Sequence, residues 1–239
     1  MDYNFPIWTP LSVDISSSNI LSFQEFVSNK TGRHFGNYKA LHYWSVNELS
    51  EFWECISLFF NIKFAKPYSY VVKNKNPFFK TKWFGDSYLS YVEHIERNFQ
   101  TKQNAIIYTN EKQEDTYITW NALFTKAREV KKQLLDKGVK KGDCVVGYLS
   151  NHPITIAAFL ATNSIGAVWS CCSPDFGVES VISRLGQLKP IVLIGIEEYS
   201  YNGKKYKLSD RIKLLQKEIR TIDSVLYYDI GFESWNLKT

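Results

Sequence analysis

Between Ala167 and Pro190 the chain reads AVWSCCSPDFGVESVISRLGQLKP, and this stretch concentrates the residues whose types and spacing suggest chemistry. Asp175-Phe176-Gly177 has the composition of a kinase magnesium loop, and Cys171-Cys172 is a vicinal thiol pair. Each chemistry makes demands elsewhere. Kinase phosphoryl transfer also needs a Gly-rich loop, a strand lysine and a His-Arg-Asp loop upstream, and all three are absent from the sequence. Metal binding by thiols calls for Cys-x-x-Cys or a histidine at ligand spacing; Cys55, Cys144, Cys171 and Cys172 have neither. Cys144 and Cys171 lie in apolar runs where cysteine acts as a small hydrophobe, so reduced, structural thiols at the buried end of a strand are expected. His34, His42, His94 and His152 are isolated from one another and from acid partners, which reads as structural.

What remains of the stretch is a turn, Ser173 to Gly177, joining an apolar run to an amphipathic one. Such a turn lies at the carboxyl end of a strand in an open α/β sheet, outside which ligands bind. It also lies where Asp175 or Gly177 can cap the following helix, and spacing does not choose between the two. A second candidate is YSYNGKKYKL, with a turn-forming Asn202-Gly203 and two cations, Lys204 and Lys205, near the same sheet edge. Paired cations can hold a phosphate, and a solvated turn before a helix is the alternative. Neither G-x-G-x-x-G, G-x-x-x-x-G-K-[ST] nor G-x-S-x-G occurs, and no strand carries a carboxylate pair for acid–base work.

The elements that position these residues change character along the chain. The first hundred residues read as helices joined by aromatic loops. In SVNELSEFWECISLFF, Ser45 and Glu48 have capping-box spacing, and Val46, Leu49, Trp53, Ile56 and Phe60 form a stripe widened by Phe52 and Phe59. In YLSYVEHIERNF a second helix aligns Leu89, Val92, Ile95 and Phe99. From Asn104, AIIY and TYIT predict a hairpin. Thr119 then caps a helix carrying Leu123, Ala127, Val130 and Leu134, which Gly138 stops. Beyond it CVVGYL, AVWSCC, IVLIG and SVLYY read as strands alternating with helices, the signature of βαβ units with right-handed crossovers. The fold expected is α/β: a helical N-terminal extension over residues 1–100, then an incomplete doubly wound, mostly parallel sheet over residues 101–239.

Bulk properties exclude other classes. At 239 residues, 44% hydrophobic and 22% charged, the chain is neither disordered nor a stapled mini-protein. Aromatics, 16% of residues, concentrate before about residue 125. The net charge of +5 includes a group at Lys131, Lys132, Lys137, Lys140 and Lys141 without interleaved stacking aromatics, which reads as a solvated helix face and not a nucleic-acid footprint. No apolar run of spanning length and no signal peptide is apparent, so a cytoplasmic protein without membrane partners is expected.

The stretches WTP, YKALHYWSVNELSEFWECISLFF, KWFGDSYLSYVEHI, the run from Gly138 to Pro190 and YSYNGKK carry a resemblance. Together they resemble the N-terminal part of the acetoacetyl-CoA synthetases, within the adenylate-forming acyl-CoA synthetase superfamily. Gly166 to Gly177 is the most specific run, because the related acetyl-CoA synthetases have a more glycine-rich loop there. The resemblance implies a ligase that uses ATP, Mg and coenzyme A as substrates and cofactors, with no group expected to bind tightly to this stretch. It also implies that Ser173, Pro174, Asp175 and Phe176 lie against the adenine end of coenzyme A, and that Tyr201 and Lys204 lie near its 3′-phosphate. Tyr201 stands where a relative has Arg.

The family's phosphate loop, its ATP and Mg segment, its ribose-binding Asp and its adenylation Lys are expected downstream of Thr239. The AMP-binding domain would then be cut before its phosphate loop, and the chain alone would be inactive, with the remainder of the same polypeptide, acetoacetate, ATP and CoA as partners and no catalytic residue in this stretch. A partial sheet would leave an edge open to self-association. The alternative is a self-standing, non-catalytic module keeping a partial CoA or protein-binding surface. Whether coding continues past Thr239 with a Thr-Ser-Gly-rich loop separates the two.

Overall fold

The computed structural model describes residues 7–74, 76–97, 102–230 and, for backbone, 235–237. The chain divides into two compact units, Met1–Leu89 and Ser90–Thr239.

In the first unit α1 (Ser12–Ser16), α2 (Asn19–Thr31), α3 (Tyr38–Asn47) and α4 (Leu49–Phe59) precede an antiparallel pair, β1 (Tyr70–Lys73) and β2 (Lys82–Gly85). The Ser18 hydroxyl caps α2 by accepting from Leu21 N, and Gly32, at φ 74°, stops it. The core is aromatic: Phe23 packs within 5.3 Å of Phe59 and 6.0 Å of Phe52, ring centre to ring centre, while Trp44 meets Phe52 edge-on at 5.5 Å.

The capping box expected at Ser45 and Glu48 is not there. Ser45 lies in the last turn of α3, its hydroxyl donating to His42 O at 2.8 Å, and Glu48 is the junction between α3 and α4. The break has a packing cause. Trp44 Nε1 donates to Glu51 Oε2 at 2.7 Å, yet a continuous helix would separate residues seven apart by about 10 Å along its axis. The bend at Glu48 brings indole and carboxylate together.

The second unit opens with α5 (Tyr91–Glu96), shorter than the sequence suggests because Ser90 takes the cap, accepting from Glu93 N, and leaves Leu89 exposed outside the helix. Phe99 lies outside the described residues. A hairpin, β3 (Asn104–Thr109) with β4 (Asp115–Thr119), follows as expected. Thr119 caps α6 (Trp120–Asp136) by accepting from Ala122 N at 3.2 Å. Then come β5 (Cys144–Tyr148), α7 (Pro153–Ile165), β6 (Val168–Cys172), α8 (Val178–Leu185), β7 (Val192–Ile196), a small hairpin of β8 (Glu198–Tyr201) and β9 (Lys204–Lys207), α9 (Ser209–Glu218), β10 (Ser224–Ile230) and β11 (Trp235–Leu237).

The sheet order is β11-β10-β7-β5-β6, with β10, β7, β5 and β6 parallel and β11 antiparallel at one edge. From β5 the chain steps to β6 on one side, then returns past β5 to β7 and on to β10. With right-handed crossovers this reversal sets α7 on one face and α8 and α9 on the other, and α6 packs on α7 while α8 packs on α9. The sheet is therefore doubly wound, and its switch point lies between the carboxyl ends of β5 and β7. At Gly195 of β7, α9 comes so close that an added Cβ would stand 2.6 Å from Ile212 Cδ1.

One expectation fails in the sheet. The cysteine pair is not a buried strand end: β6 is an edge strand whose pleat alternates, so Cys172 is buried and Cys171 exposed. Among the described residues, no helix is long and apolar enough to cross a membrane.

Within α7, Thr162 is fully buried and its hydroxyl has no hydrogen-bond partner among the described residues. Because a buried, unpaired hydroxyl costs its desolvation, Thr162→Val should raise stability by about 1 kcal/mol in urea unfolding. A loss of stability of that size would mean that the hydroxyl has a partner.

Candidate functional site

The carboxyl ends of β5, β6 and β7 bring the expected residues to one side of the sheet. Tyr148, the last residue of β5, is fully buried. Its hydroxyl donates to Pro174 O at 2.8 Å and shares the same proton with Phe176 O at 2.7 Å. Arg211, in the first turn of α9, sends Nη1 to the same Pro174 carbonyl at 3.2 Å and towards the Tyr148 hydroxyl at 3.4 Å. Ser173 to Gly177 is therefore a turn gripped from below by a phenol and a guanidinium. Phe176 N closes it by donating to Ser173 O.

This grip sorts the turn. Pro174 is buried, Phe176 half-buried under the Arg184 guanidinium 4.6 Å from its ring, and Ser173 and Asp175 are exposed. The carbonyls of Pro174 and Phe176 are spent inward, so Ser173 and Asp175 supply the outward face. Of the two capping candidates left open by the sequence, Gly177 is the N-cap residue of α8, in extended backbone and without a side-chain bond, and Asp175 is not.

The YSYNGKKYKL segment is more ordered than a solvated turn. β8 and β9 pair from Glu198↔Lys207 to Tyr201↔Lys204, around Asn202 at φ 50° and Gly203 at φ 70°. Positive φ at both positions is the hairpin turn that Asn-Gly favours, a signal the sequence carried. Tyr199 and Tyr206 stack at 5.2 Å across the pair. Burial pushes the Tyr199 phenol above its ordinary value; Arg211 counters, while Tyr148, Asp175 and Tyr206 add to it. The base of the hairpin thus lies in the electrostatic reach of the turn.

The two lysines differ. Lys205 donates to Glu198 at 2.6 Å, and that hydrogen bond holds its ammonium above the usual lysine value. Lys204 has no acid partner among the described residues, and it and Tyr201 are exposed at the tip. No hydrogen bond or ion pair among the described residues joins Tyr201 or Lys204 to the Ser173–Phe176 turn. An unspent ammonium on an open turn fits a phosphate. For magnesium, the described residues offer no cluster of three or more His, Cys, Asp or Glu. Tyr148, Arg211 and Glu198 were not legible as site residues, because their roles depend on partners 26, 63 and 7 positions away.

Tyr148→Phe would leave two loop carbonyls short of a donor and should cost about 1–3 kcal/mol in urea unfolding. Combined with Arg211→Met, the loss should exceed the sum of the two single losses by about 1 kcal/mol, since either donor alone still serves Pro174 O and only the double variant leaves it unmet. Simple additivity would show that they do not share the carbonyl.

Comparison with known proteins matches residues 95–237 to the family described as AMP-binding enzyme. The acetoacetyl-coenzyme A synthetase of Rhizobium meliloti is 29% identical over 90% of this chain and 33% of its own length. That of Macaca fascicularis is 32% identical over 92% of this chain and 33% of its own. In the solved structure of acetoacetyl-CoA synthetase from Streptomyces lividans, a region 34% identical superimposes with a TM-score of 0.87, covering 93% of this chain and 35% of that one. The chain spans about a third of the length of the relatives it matches.

Proposed function

The chain belongs to the AMP-binding enzyme family, and on that premise we propose that it serves an acetoacetate–CoA ligase. In that reaction the acetoacetate carboxylate attacks the α-phosphate of Mg-ATP, giving acetoacetyl-adenylate and pyrophosphate. The coenzyme A thiol then attacks the acyl carbon, and AMP leaves as acetoacetyl-CoA forms. The observation that carries this reading is the match to acetoacetyl-CoA synthetases along nearly the whole chain, with the family match over residues 95–237 spanning both the Ser173–Gly177 turn and the Asn202–Gly203 hairpin.

The part assigned to these residues is recognition of the coenzyme A nucleotide. Ser173 and Asp175 offer the outward face of a turn that Tyr148 and Arg211 hold still, and Lys204 offers an uncommitted charge for the 3′-phosphate. Pro174 and Phe176 shape the turn instead of donating to the ligand. ATP, magnesium and the acyl group are assigned to the region of the relatives beyond the third that this chain spans, and a cytoplasmic setting fits the free thiols of its cysteines.

In a protein spanning the relatives' full length, AMP release should depend on acetoacetate and CoA, with acetate a poor substrate. Equal rates on the two acids would sink the substrate assignment. Lys204→Ala should raise the KM for CoA about tenfold and leave that for ATP unchanged, the loss of one charge-assisted contact. The 239 residues alone should release no AMP; release at the full rate would place the adenylating groups within them.

A further inference from the structure

A two-stranded hairpin is marginal by itself, and β8–β9 has little beneath it. Every residue of β9 is exposed, and Tyr199 is the residue of β8 that packs partly against the core. Its tip is nevertheless held, from 91 positions away in the chain. Glu111, in the connection between β3 and β4, receives Asn202 N on Oε1 at 2.5 Å and Gly203 N on Oε2 at 3.0 Å. Both carboxylate oxygens are engaged by successive turn N–H groups, an arrangement in which adjacent amides form an anion-binding concavity.

The connection that carries Glu111 is itself braced. Asn110 Oδ1 accepts from Lys112 N and Glu114 N at 2.9 and 3.1 Å, and Asn110 Nδ2 donates to Glu114 Oε2 at 2.8 Å. Thr109 Oγ1 adds a bond to Asp115 at 2.7 Å. The carboxylate is thus presented by a preorganised loop to a turn flanked directly by Tyr201 and Lys204. It also occupies the backbone donors that an incoming phosphate would otherwise take, which leaves the Lys204 ammonium as the anion-binding group of the tip.

We propose that Glu111 is a positioning residue: by accepting both N–H groups of the Asn202–Gly203 turn it fixes the hairpin tip so that Lys204 meets the 3′-phosphate of a nucleotide. This rests on the assignment of Lys204 to the coenzyme A nucleotide, and it adds a role for a residue that touches no ligand. Fixing a cation within a fraction of an ångström matters because a misplaced contact forfeits most of its energy.

The test uses the 239-residue chain, with adenosine 3′,5′-bisphosphate as probe and adenosine 5′-monophosphate, which lacks the 3′-phosphate, as control. Glu111→Gln keeps the shape and removes the charge. Amide exchange at Asn202 and Gly203 should accelerate by about tenfold or more while β5 amides stay as they are, since a charge-assisted bond is lost at the turn alone. In NMR titrations followed at residues 201–204, affinity for the bisphosphate should fall about tenfold and that for the monophosphate should not change. Lys204→Ala should match this loss, and the double variant should be no weaker than either single.

Unchanged exchange at the turn in Glu111→Gln overturns the latch. Faster exchange with undiminished bisphosphate affinity, where Lys204→Ala does weaken binding, overturns the positioning role and leaves the assignment of Lys204 standing. If neither variant alters bisphosphate binding, or the probe moves no hairpin resonance, the assignment of Lys204 falls and takes the inference with it.

Discussion

The hydroxyl of Tyr148 is the junction on which the Ser173–Gly177 turn depends. It stands at the buried end of a central strand, where the sheet defines position most closely, and its one proton serves two carbonyls of a turn that begins on the neighbouring strand. Without that donor Pro174 O would depend on Arg211 alone and Phe176 O would lose its phenolic partner, and an unmet buried carbonyl is expensive. Arg211 strengthens the junction by bringing a charged donor from α9. Rigidity therefore passes from the sheet core to an exposed turn through the Tyr148 phenol and the Arg211 guanidinium.

The hairpin on the neighbouring strand solves the same mechanical problem differently. It cannot lean on the sheet, since its outer strand is solvated along its whole length. Stacked tyrosines join its two strands, the Lys205–Glu198 pair closes one side, and Glu111 grips the turn. Exposed ion pairs contribute little energy. The Glu111 contact differs in kind, because both acceptor oxygens are matched to donors of fixed backbone geometry. Its effect is to define position more than to add stability.

Much of the fold was legible from residue pattern. The buried strands CVVGY and VLIGI, Thr119 as a cap and Gly138 as a stop all appear where local chemistry places them. The errors arose where distant partners outbid local signals. Ser45 has capping spacing, but the Trp44–Glu51 bond and the Phe52 contact demand a bend at Glu48. Cys171 lies in an apolar run, but the reversal of strand order puts β6 at an edge and turns that thiol outward.

The candidate site divides along the same line. The Ser173–Gly177 turn and the Asn202–Gly203 hairpin were visible because turn residues act locally, through their own φ and their immediate hydrogen bonds. By itself the sequence determined that two such turns follow two apolar strands, and that a pair of lysines accompanies one of them. Which lysine stays uncommitted, which carbonyls face inward and which acid holds the tip were decided by tertiary structure alone. Those choices depend on groups 7 to 91 positions apart meeting at bonding distance, and strand order, which brings them together, is set by packing both faces of the sheet and has no local signature in the chain.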